Sequence, residues 1–565
     1  TLMETDKSPI LQVQNLNLGF DMRQGMVDVL HGISFDLHRC KTTCIVGESG
    51  SGKSVTARAI LNMVPRPGSI NGGQILFNPD GLGQINLTSL DPRGKPIRKI
   101  RGGRIGMIFQ EPMSSLSPIH TIGNQITEVI QLHRNVDKKT ARQMAIAALA
   151  QVEIPKPEKA VDRYAFEYSG GMRQRAMIAM ALSCQPDVLI ADEPTTALDV
   201  TTQAEILDLM KSLQRELDTA IMFITHDMGV VAEIADEVVV MEKGNVVEKG
   251  NIHQVYNAPQ HVYTKKLLTA VKRLNQPAST KVRPCTQAQN ILQIRDLSLR
   301  FEKKEGFFQR ITDVTKAVDG VSFDLKEGES LGIVGESGSG KTTLGRCIAR
   351  VYDPNSGVIN YKGQDLMQAN ASALRETRKR MRMIFQDPFA SLNPRMTVKQ
   401  IIAEPLIINK LANLAELEEI VSTILSQVGL DPNMMERYPH AFSGGQRQRI
   451  VIARAIALKP ELIIADEPTS ALDVSIRTQV LDLLLQLQAE MGLSFIFISH
   501  DMAVIRYFCD RVAVMYRGQI VEIGETEQII TSPQHPYTKA LLSSVPIPDP
   551  TLRGTRQRHR YEPDS

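Results

Sequence analysis

An eight-residue stretch that occurs twice constrains this chain more than any other feature. GESGSGKS runs from Gly47 to Ser54, and GESGSGKT runs from Gly335 to Thr342. Both copies fit the phosphate-loop pattern, in which glycines let backbone N–H groups cradle phosphates and a lysine reaches the β- and γ-phosphates. Each copy lies between an apolar strand-like run and a helix-like run, where the helix N-terminus favours an anion. The repeat therefore predicts two nucleotide sites.

The loops assign one set of residues to the nucleotide in each copy. These are Gly47, Ser49, Gly50, Gly52, Lys53 and Ser54 in the first copy, and Gly335, Ser337, Gly338, Gly340, Lys341 and Thr342 in the second. The hydroxyls of Ser54 and Thr342 are also candidate Mg²⁺ ligands, because the last residue of this pattern ligates the metal. A single match could be an accidental glycine-rich turn, but two matches in the same context argue against that alternative.

A glutamine ends an apolar run in each half. RIGMIFQEP places Gln110 and RMRMIFQDP places Gln386 at a predicted strand end. A glutamine beside a phosphate site can hold Mg²⁺ or the attacking water. A strand-terminating polar residue would be the simpler interpretation if the pattern occurred once.

A Ser-Gly-Gly sequence opens a strongly helical stretch in each half. Serine is a favoured helix N-cap, and free N–H groups at a helix start attract anions, so each stretch predicts a second anion site. Each half already has a phosphate loop, which suggests that this site serves the nucleotide of the other half. The residues are Ser169, Gly170 and Gly171, and Ser443, Gly444 and Gly445.

Two adjacent carboxylates follow an apolar run in VLIADEP and again in LIIADEP. We expect Asp192 and Asp466 to hold Mg²⁺ through water, and Glu193 and Glu467 to act as general bases. Adjacent acids at a strand end are common in loops, so the pair alone leaves both interpretations open.

A histidine ends a later strand-like run in each half. The runs AIMFITH and SFIFISH end in His226 and His500, which could contact a γ-phosphate. A lone histidine is more often a structural cap.

Phenylalanine ends the first strand-like run of each half. Phe20 and Phe301 could each stack on a nucleotide base, although a core phenylalanine fits the pattern equally well.

The spacing of these motifs decides between the alternatives. The separation between halves is 341 − 53 = 288 at the lysines and 386 − 110 = 276 at the glutamines. It is 274 at each later motif, since 443 − 169, 466 − 192 and 500 − 226 are equal. Unrelated local features would not recur in one order at nearly fixed separations, so the chain is a duplication with one site set per half.

Composition narrows the class of protein. Of 565 residues, 42% are hydrophobic and 22% charged, and the formal net charge is +3, which is not the footprint of a dedicated nucleic-acid binder. No run of eighteen apolar residues occurs, so we expect no membrane span, and the polar TLMETDKSP start predicts no signal peptide. The six cysteines form no CxxC pair and are expected to be reduced thiols.

The ordered motifs resemble those of ABC ATPases, twice over and across nearly the whole chain. The phrases MIFQEPMSSLSP, SGGMRQRAMIAMAL, ADEPTTALDVT and PQHPYTKALLSSVP are similar to those of the ATPases of peptide-type importers. That group handles dipeptides, oligopeptides, nickel and glutathione, and its glutathione importers have both ATPases fused on one chain, as here. Met172 departs from the usual glutamine, which Gln446 supplies in the second half.

The resemblance implies the fold, cofactors and partners. It implies an α/β fold of two tandem P-loop ABC nucleotide-binding domains, each a RecA-like α/β core with an antiparallel β lobe and a helical subdomain. The halves would pair head to tail and bind ATP and Mg²⁺ between them. They would drive two transmembrane permease subunits, and a solute-binding protein would deliver the solute to these permeases from outside. The chain would lie on the cytoplasmic face of the inner membrane without nucleic acid. No cysteine follows Cys509, so we expect no iron–sulfur cluster.

The sequence predicts domain boundaries and leaves one rival function. We expect nucleotide-binding domains at 9–271 and 291–545, a flexible linker at 272–290 and a disordered tail at 546–565. The rival is a tandem ABC ATPase that acts on ribosomes or DNA without a membrane. The long charged connector or zinc CxxC insertion typical of those relatives does not occur in the sequence.

Overall fold

A computed structural model describes most of the chain. The described residues are 8–22, 25–80, 83–111, 115–196, 198–278, 288–305, 310–413, 415–470, 472–555, 557–559 and 561. They form two compact units. The described residues of the first unit lie within Thr1–Leu198, Thr202–Thr269 and Pro546–Arg556, and those of the second lie within Asp199–Thr201, Ala270–Val545 and Gln557–Ser565.

The first unit contains an antiparallel sheet and a mostly parallel sheet. Among the described residues the antiparallel sheet has the order β2-β1-β4-β5, and the other has the order β10-β9-β3-β8-β7-β6, with β10 antiparallel at its edge. The strands are β1 Leu11–Met22, β2 Gly25–Leu37, β3 Thr42–Val46, β4 Gly68–Phe77, β5 Ile85–Asn86, β6 Ile105–Ile108, β7 Val188–Asp192, β8 Ala220–Thr225, β9 Glu237–Glu242 and β10 Asn245–Asn251.

Helices cover the parallel sheet and form a separate region between β6 and β7. They are α1 Lys53–Ile60, α2 Lys95–Ile100, α3 Ile122–His133, α4 Lys138–Gln151, α5 Pro157–Ala160, α6 Gly170–Leu182, α7 Val200–Leu217, α8 Met228–Ile234, α9 Ile252–Asn257 and α10 Val262–Leu274. Short 3₁₀ helices lie at Leu87–Ser89 and Ala165–Glu167.

The second unit repeats this architecture, with sheet orders β12-β11-β14-β15 and β16-β17-β18-β13-β19-β20 among its described residues. Its strands are β11 Asn290–Glu305, β12 Arg310–Lys326, β13 Ser330–Val334, β14 Ser356–Tyr361, β15 Gln364–Asp365, β16 Met381–Ile384, β17 Leu462–Asp466, β18 Ser494–Ile498, β19 Arg511–Tyr516 and β20 Gln519–Glu525. Its helices are α11 Lys341–Ile348, α12 Ala371–Arg380, α13 Pro388–Ser391, α14 Val398–Ile408, α15 Leu417–Gln427, α16 Gly444–Ile456, α17 Val474–Met491, α18 Met502–Phe508, α19 Thr526–Thr531 and α20 Pro536–Ser543. Further 3₁₀ helices are Pro432–Met434, Pro439–Ala441 and Pro550–Leu552.

The central strands of each parallel sheet are buried along their whole length, which explains their continuous apolar sequences. Every residue of β3, β7 and β8 is buried, and so is every residue of β13, β17 and β18. Parallel strands covered on both faces need such sequences. The carboxyl ends of these strands meet at one edge of the sheet, where open α/β folds bind ligands. The observed architecture confirms the α/β prediction.

The predicted tail boundary differs from the described structure. The described residues 546–555, which lie in the tail that the sequence predicts to be disordered, belong to the first unit. There Arg553 donates from its guanidinium to the carbonyls of Ala235, at 2.9 Å, and Ile234, at 3.3 Å. These bonds go to the free carbonyls at the end of α8, which are distant in sequence, and disorder over the whole of 546–565 stays a prediction.

The start of the predicted linker is also structured. Helix α10 continues to Leu274, three residues beyond the predicted boundary at 271, and Leu274 and Ala278 are buried in the second unit. Residues 279–287 lie outside the described residues, so the predicted flexibility there stays a prediction.

No helix within the described ranges has the length and apolar character that crossing a bilayer requires.

Candidate nucleotide-binding sites

The phosphate loop of the first unit joins β3 to α1 and encloses a buried lysine. Lys53 is 6% exposed, and its Nζ donates to the carbonyl oxygens of Gly47, at 2.7 Å, and Glu48, at 2.9 Å. A buried ammonium group needs such partners, because an unpaired charge away from water is costly. The loop therefore holds a positive charge inside a ring of backbone groups.

The second phosphate loop, between β13 and α11, repeats this arrangement. The Nζ of Lys341 donates to the carbonyls of Gly335, at 2.8 Å, and Glu336, at 2.7 Å. Burial lowers the pKa of Lys341, and the nearby carboxylate of Glu467 opposes that shift. Both predicted lysines thus occupy equivalent, water-poor positions.

Glycine is required at the entry to each loop because the backbone of a neighbouring strand packs against it. A Cβ atom on Gly47 would lie 2.2 Å from the carbonyl oxygen of Met241, and one on Gly335 would lie 2.1 Å from that of Met515. No side chain fits there. The remaining loop glycines have positive φ angles, at Gly50 (79°), Gly52 (99°), Gly338 (80°) and Gly340 (101°). Ser49 and Ser337 are exposed at the loop tips.

A hydroxyl and an aspartate meet at the start of each loop helix. The Oγ of Ser54 donates to Oδ1 of Asp192, and the Oγ1 of Thr342 donates to Oδ1 of Asp466, each at 2.9 Å. Burial raises the pKa of both aspartates, and these hydrogen bonds oppose the rise.

The second hydroxyl–aspartate pair leaves an oxygen without a partner. Oδ2 of Asp466 is buried and has no hydrogen-bond partner among the described residues. A buried polar atom left in this way normally has a ligand or ion to satisfy it. Mg²⁺ prefers oxygen ligands such as carboxylate and hydroxyl groups, so these residues fit the predicted ion.

One carboxylate in the first unit collects three polar side chains. Gln110 Nε2 donates to Oε2 of Glu193 at 3.0 Å, Thr196 donates to the same oxygen at 2.9 Å, and His226 Nδ1 lies 3.2 Å from Oε1. Burial by itself would raise the pKa of Glu193, but the hydrogen bond and charge of His226 bring it below the usual value. The carboxylate is therefore kept ionised, as a general base must be.

The second unit builds the same cluster around Glu467. Gln386 Nε2 donates to Oε2 at 2.9 Å, and His500 Nδ1 lies 3.0 Å from Oε1. Burial opposes both charges, yet the pair lowers the pKa of Glu467 and raises that of His500. The three residues predicted separately from the sequence thus meet in each unit.

Both glutamates have a backbone conformation that is uncommon for a residue with a side chain. The φ angles are +46° at Glu193 and +47° at Glu467, and their N–H groups donate to Ile224, at 3.0 Å, and Ile498, at 2.9 Å. Left-handed conformations of such residues concentrate at functional sites, where surrounding structure holds them. The sharp turn after β7 and β17 directs each glutamate to its glutamine and histidine.

The Ser-Gly-Gly sequences begin long helices, as predicted. Ser169 is the N-cap of α6 and its side chain accepts from the N–H of Met172 at 3.3 Å. Ser443 is the N-cap of α16 and accepts from the N–H of Gln446 at 3.4 Å. The first turns that follow contain Gly170 and Gly171, and Gly444 and Gly445. Their service to the nucleotide of the other half stays a prediction.

The two phenylalanines differ in exposure. Phe20 is partly buried and packs against the core of the first unit, whereas Phe301 is 45% exposed and contacts Tyr352 edge to face at 5.8 Å between ring centroids. Base stacking stays a prediction for both, and Phe301 has the more available ring.

The sequence-based site omits two tyrosines that contact the phosphate loops. The hydroxyl of Tyr263 accepts from the N–H of Glu48 at 2.9 Å, and that of Tyr537 accepts from the N–H of Glu336 at 3.1 Å. The separation 537 − 263 = 274 equals that of the later motifs, and this signal could have identified them.

Comparison with known families agrees with this geometry. The ABC transporter family model matches residues 30–196 and 318–470. The model of the oligopeptide/dipeptide transporter C-terminal region matches residues 247–298 and 521–564. The chain therefore belongs to the ABC transporter family, as an ATP-hydrolysing subunit with two cassettes.

Relatives that are similar to this chain match it over nearly its whole length. The glutathione import ATP-binding protein GsiA of Pectobacterium atrosepticum is 48% identical over 97% of this chain and 91% of its own length. The protein of the same name from Escherichia coli K12 is 47% identical over 97% of this chain and 91% of its own length. The solved structure of cbiO1 from Clostridium perfringens covers 43% of this chain and 91% of its own, with 26% identity and a TM-score of 0.38; the family assignment does not depend on it.

The expected absence of an iron–sulfur cluster stays a prediction. Cys285, the cysteine in the predicted linker after the first cassette, lies outside the described residues.

Proposed function

We propose that this chain powers the import of glutathione or a related peptide by hydrolysing ATP at two sites that its cassettes share. The observation that supports this most is the complete set of loop lysine, hydroxyl–aspartate pair and glutamate–glutamine–histidine cluster in each unit. The solute class rests on the relatives' name and on the oligopeptide/dipeptide transporter region.

Each side chain has a definite role in this proposal. The lysine binds the β- and γ-phosphates, and the glutamate accepts a proton from the attacking water. The glutamine and the histidine orient that glutamate. The glutamine donates a hydrogen bond to its carboxylate, and the histidine ring lies beside the other carboxylate oxygen. The catalytic residues are therefore Glu193, His226, Glu467 and His500.

The residues that would hold Mg²⁺ are Ser54, Gln110 and Asp192 in the first site and Thr342, Gln386 and Asp466 in the second. Bound there with ATP, the ion would neutralise charge on the phosphates. The glutamines now donate to Glu193 and Glu467, so their oxygens remain the atoms that could face the ion.

We propose that the sites are shared head to tail. The first loop would work with Ser443, Gly444 and Gly445, and the second loop with Ser169, Gly170 and Gly171. Each helix start is a suitable anion site. To shift the pair of cassettes from mostly open to mostly closed, ATP must bind the closed state about 5.5 kcal/mol more favourably than the open state. A few charge-assisted hydrogen bonds, each worth about 1.5–3 kcal/mol, can supply this difference. ATP binding would thereby close the pair, and hydrolysis would reopen it.

The partners follow from the importer role. We propose that the chain lies at the cytoplasmic face of the inner membrane, where its movement drives two permease subunits. An extracytoplasmic binding protein would deliver the solute. Selectivity would lie with those partners, because the residues assembled in the described units concern phosphate and metal.

Transport assays test this function directly. The chain and its permeases are reconstituted in vesicles with the binding protein, and ATP-dependent uptake of labelled glutathione and of a dipeptide is measured. The proposal expects uptake that Glu193→Gln or Glu467→Gln reduces strongly. ATP hydrolysis without uptake of either solute would contradict the assigned solute class while leaving the ATPase intact.

Crossed variants test the sharing of sites. In a Lys341→Ala background only the first phosphate loop is intact, so Ser443→Ala should lower the remaining ATP hydrolysis more than Ser169→Ala does. Both serines accept one N-cap hydrogen bond, so each substitution removes the same kind of bond, and the melting temperatures of the two variants control for a difference in structural cost. The opposite order would mean that each cassette uses its own serine.

A further inference from the structure

A tyrosine from the region after each cassette contacts the phosphate loop. Tyr263 on α10 and Tyr537 on α20 are buried, at 6% and 1% exposure. Their hydroxyls accept hydrogen bonds from the N–H groups of Glu48, at 2.9 Å, and Glu336, at 3.1 Å. The contact joins residues 215 positions apart in the first unit and 201 in the second, and it occurs in both.

These bonds fix one peptide group in each loop from both sides. The carbonyl of Gly47 and the N–H of Glu48 belong to the same peptide unit. Lys53 donates to that carbonyl at 2.7 Å, and Tyr263 accepts from that N–H. The tyrosine contacts the N–H and the lysine contacts the carbonyl, so the tyrosine contact does not compete with binding of the lysine to phosphate.

The tyrosine is itself held by a turn that is anchored to the parallel sheet. Glu248 lies on β10 and accepts from the N–H groups of Gln260, at 2.8 Å, and His261, at 3.0 Å. The Nδ1 of His261 accepts from the N–H of Tyr263 at 3.2 Å. Because β10 pairs with β9 and β9 with β3, the turn closes a ring that begins and ends at the phosphate loop.

The second unit repeats this ring with its own residues. Glu522 on β20 accepts from the N–H groups of Gln534, at 2.7 Å, and His535, at 3.0 Å. His535 Nδ1 accepts from the N–H of Tyr537 at 3.1 Å. Helix α20 starts with a proline and α10 with a valine, yet the tyrosine contact is the same. The supporting residues, rather than the helix start, fix the tyrosine.

We propose that Tyr263 and Tyr537 are positioning residues for ATP binding. Each keeps the first peptide of its loop in the orientation that the nucleotide requires, so that ATP does not have to order it. This gives the C-terminal region after each cassette a direct part in setting ATP affinity. The inference rests on the two ATP sites of the proposed function, but it does not depend on the transported solute.

The test removes only the hydroxyls. Full-length protein with Tyr263→Phe and Tyr537→Phe together is assayed for ATP hydrolysis and, by equilibrium dialysis with Mg²⁺ and a non-hydrolysable ATP analogue, for binding. The loss of one net hydrogen bond per site should raise KM and Kd about 2- to 10-fold, with kcat within about twofold of wild type. The single variants should each weaken one of the two binding sites.

Tyr256→Phe is the matched control. Tyr256 is also 6% exposed and belongs to the same region, but its hydroxyl donates to the carbonyl of Met228 rather than contacting the loop. It should leave Kd and KM unchanged even if it lowers the melting temperature. An unchanged Kd in the double variant would overturn the proposal. Equal changes of Kd in the control and in the single variant Tyr263→Phe would also overturn it, because the tyrosine would then act only through stability. Failure of glutathione uptake with these binding results intact would concern the proposed solute alone.

Discussion

Helices α6 and α16 follow the same Ser-Gly-Gly sequence but are capped differently. In α16 the cap is reciprocal, because Gln446 Oε1 accepts from the N–H of Ser443 at 3.0 Å while the serine accepts from the N–H of Gln446. In α6 the equivalent position is Met172, so only the serine's half of the cap exists. The N-cap angles nevertheless agree, with φ −64° and ψ 166° at Ser169 and φ −66° and ψ 164° at Ser443.

The two halves therefore have the same glutamate clusters but differ in the hydrogen bonds that cap their Ser-Gly-Gly helices. Distances in the two glutamate clusters agree within 0.2 Å at the glutamine and the histidine. A helix N-cap tolerates the loss of one side-chain bond, whereas a general base without its orienting partners does not. Substitutions in the two halves should therefore have equal effects at the clusters and unequal effects at the caps.

The largest expected effect is at the two glutamates that we propose as general bases. Glu193→Gln and Glu467→Gln should each reduce turnover at their own site by about 10²–10⁴-fold, because the amide cannot accept the proton. The measurement is single-turnover ATP hydrolysis by the full chain with its permeases. Equal losses support equivalent sites; if one variant kept wild-type hydrolysis at its site, that glutamate would not be the base.

Next in size is the loss of the loop lysine. Lys53→Ala or Lys341→Ala removes a charge-assisted bond to phosphate worth about 1.5–3 kcal/mol, which weakens ATP binding at that site by about 10- to 150-fold. Titration calorimetry of each variant should show one strong and one weakened site. Two unaffected sites in either variant would show that the lysine does not contact the nucleotide.

A smaller effect concerns the pH dependence of the His500–Glu467 pair. Its histidine has a raised pKa, so its contribution to stability is complete below 6.5 and is lost as pH rises through the folded value. The glutamate has a lowered pKa, so its contribution is present above 4.5 and is lost as pH falls through the folded value. Both contributions are therefore complete between 4.5 and 6.5.

His500→Gln tests this window through thermal melting. The difference in melting temperature between wild type and variant should be largest near about pH 6 and shrink towards about pH 9. It should correspond to about 1–2 kcal/mol, since the pair is partly exposed. If the difference in melting temperature stayed constant over this pH range, the charge of His500 would not contribute to the stability of the folded protein. His226→Gln at the same pH values extends the comparison to the first half.

The smallest effect is at the caps. Gln446→Met removes the second arm of the reciprocal cap in α16 and should cost about 0.5–1 kcal/mol, while Met172→Gln supplies that arm in α6 and should gain a similar or smaller amount. Thermal melting of the two single variants and the reciprocal double variant measures this. If Gln446→Met and Met172→Gln shifted the melting temperature in the same direction, the glutamine would not stabilise the two helix starts in the same way.

Much of each site could be predicted from the sequence because its chemistry lies in short motifs. The motifs predict the lysine, hydroxyl, aspartate, glutamate, glutamine and histidine of each site, and the clusters around Glu193 and Glu467 join residues from three separate motifs. Buried parallel strands explain this success, since each apolar run ends at the same edge of a sheet. The exposure of Phe301 against the partial burial of Phe20 was not predictable, because an aromatic at a strand end suits either surroundings.

The sequence by itself determined the duplication, the fold class and the identity of the groups that we propose for phosphate and metal, because these depend on residue type, order and spacing. Only the tertiary structure decided that Tyr263 and Tyr537 contact the phosphate loops and that the described residues 546–555 belong to the first unit. Contacts between residues more than two hundred positions apart depend on how whole elements pack. No local pattern around Tyr263 or Arg553 contains that information.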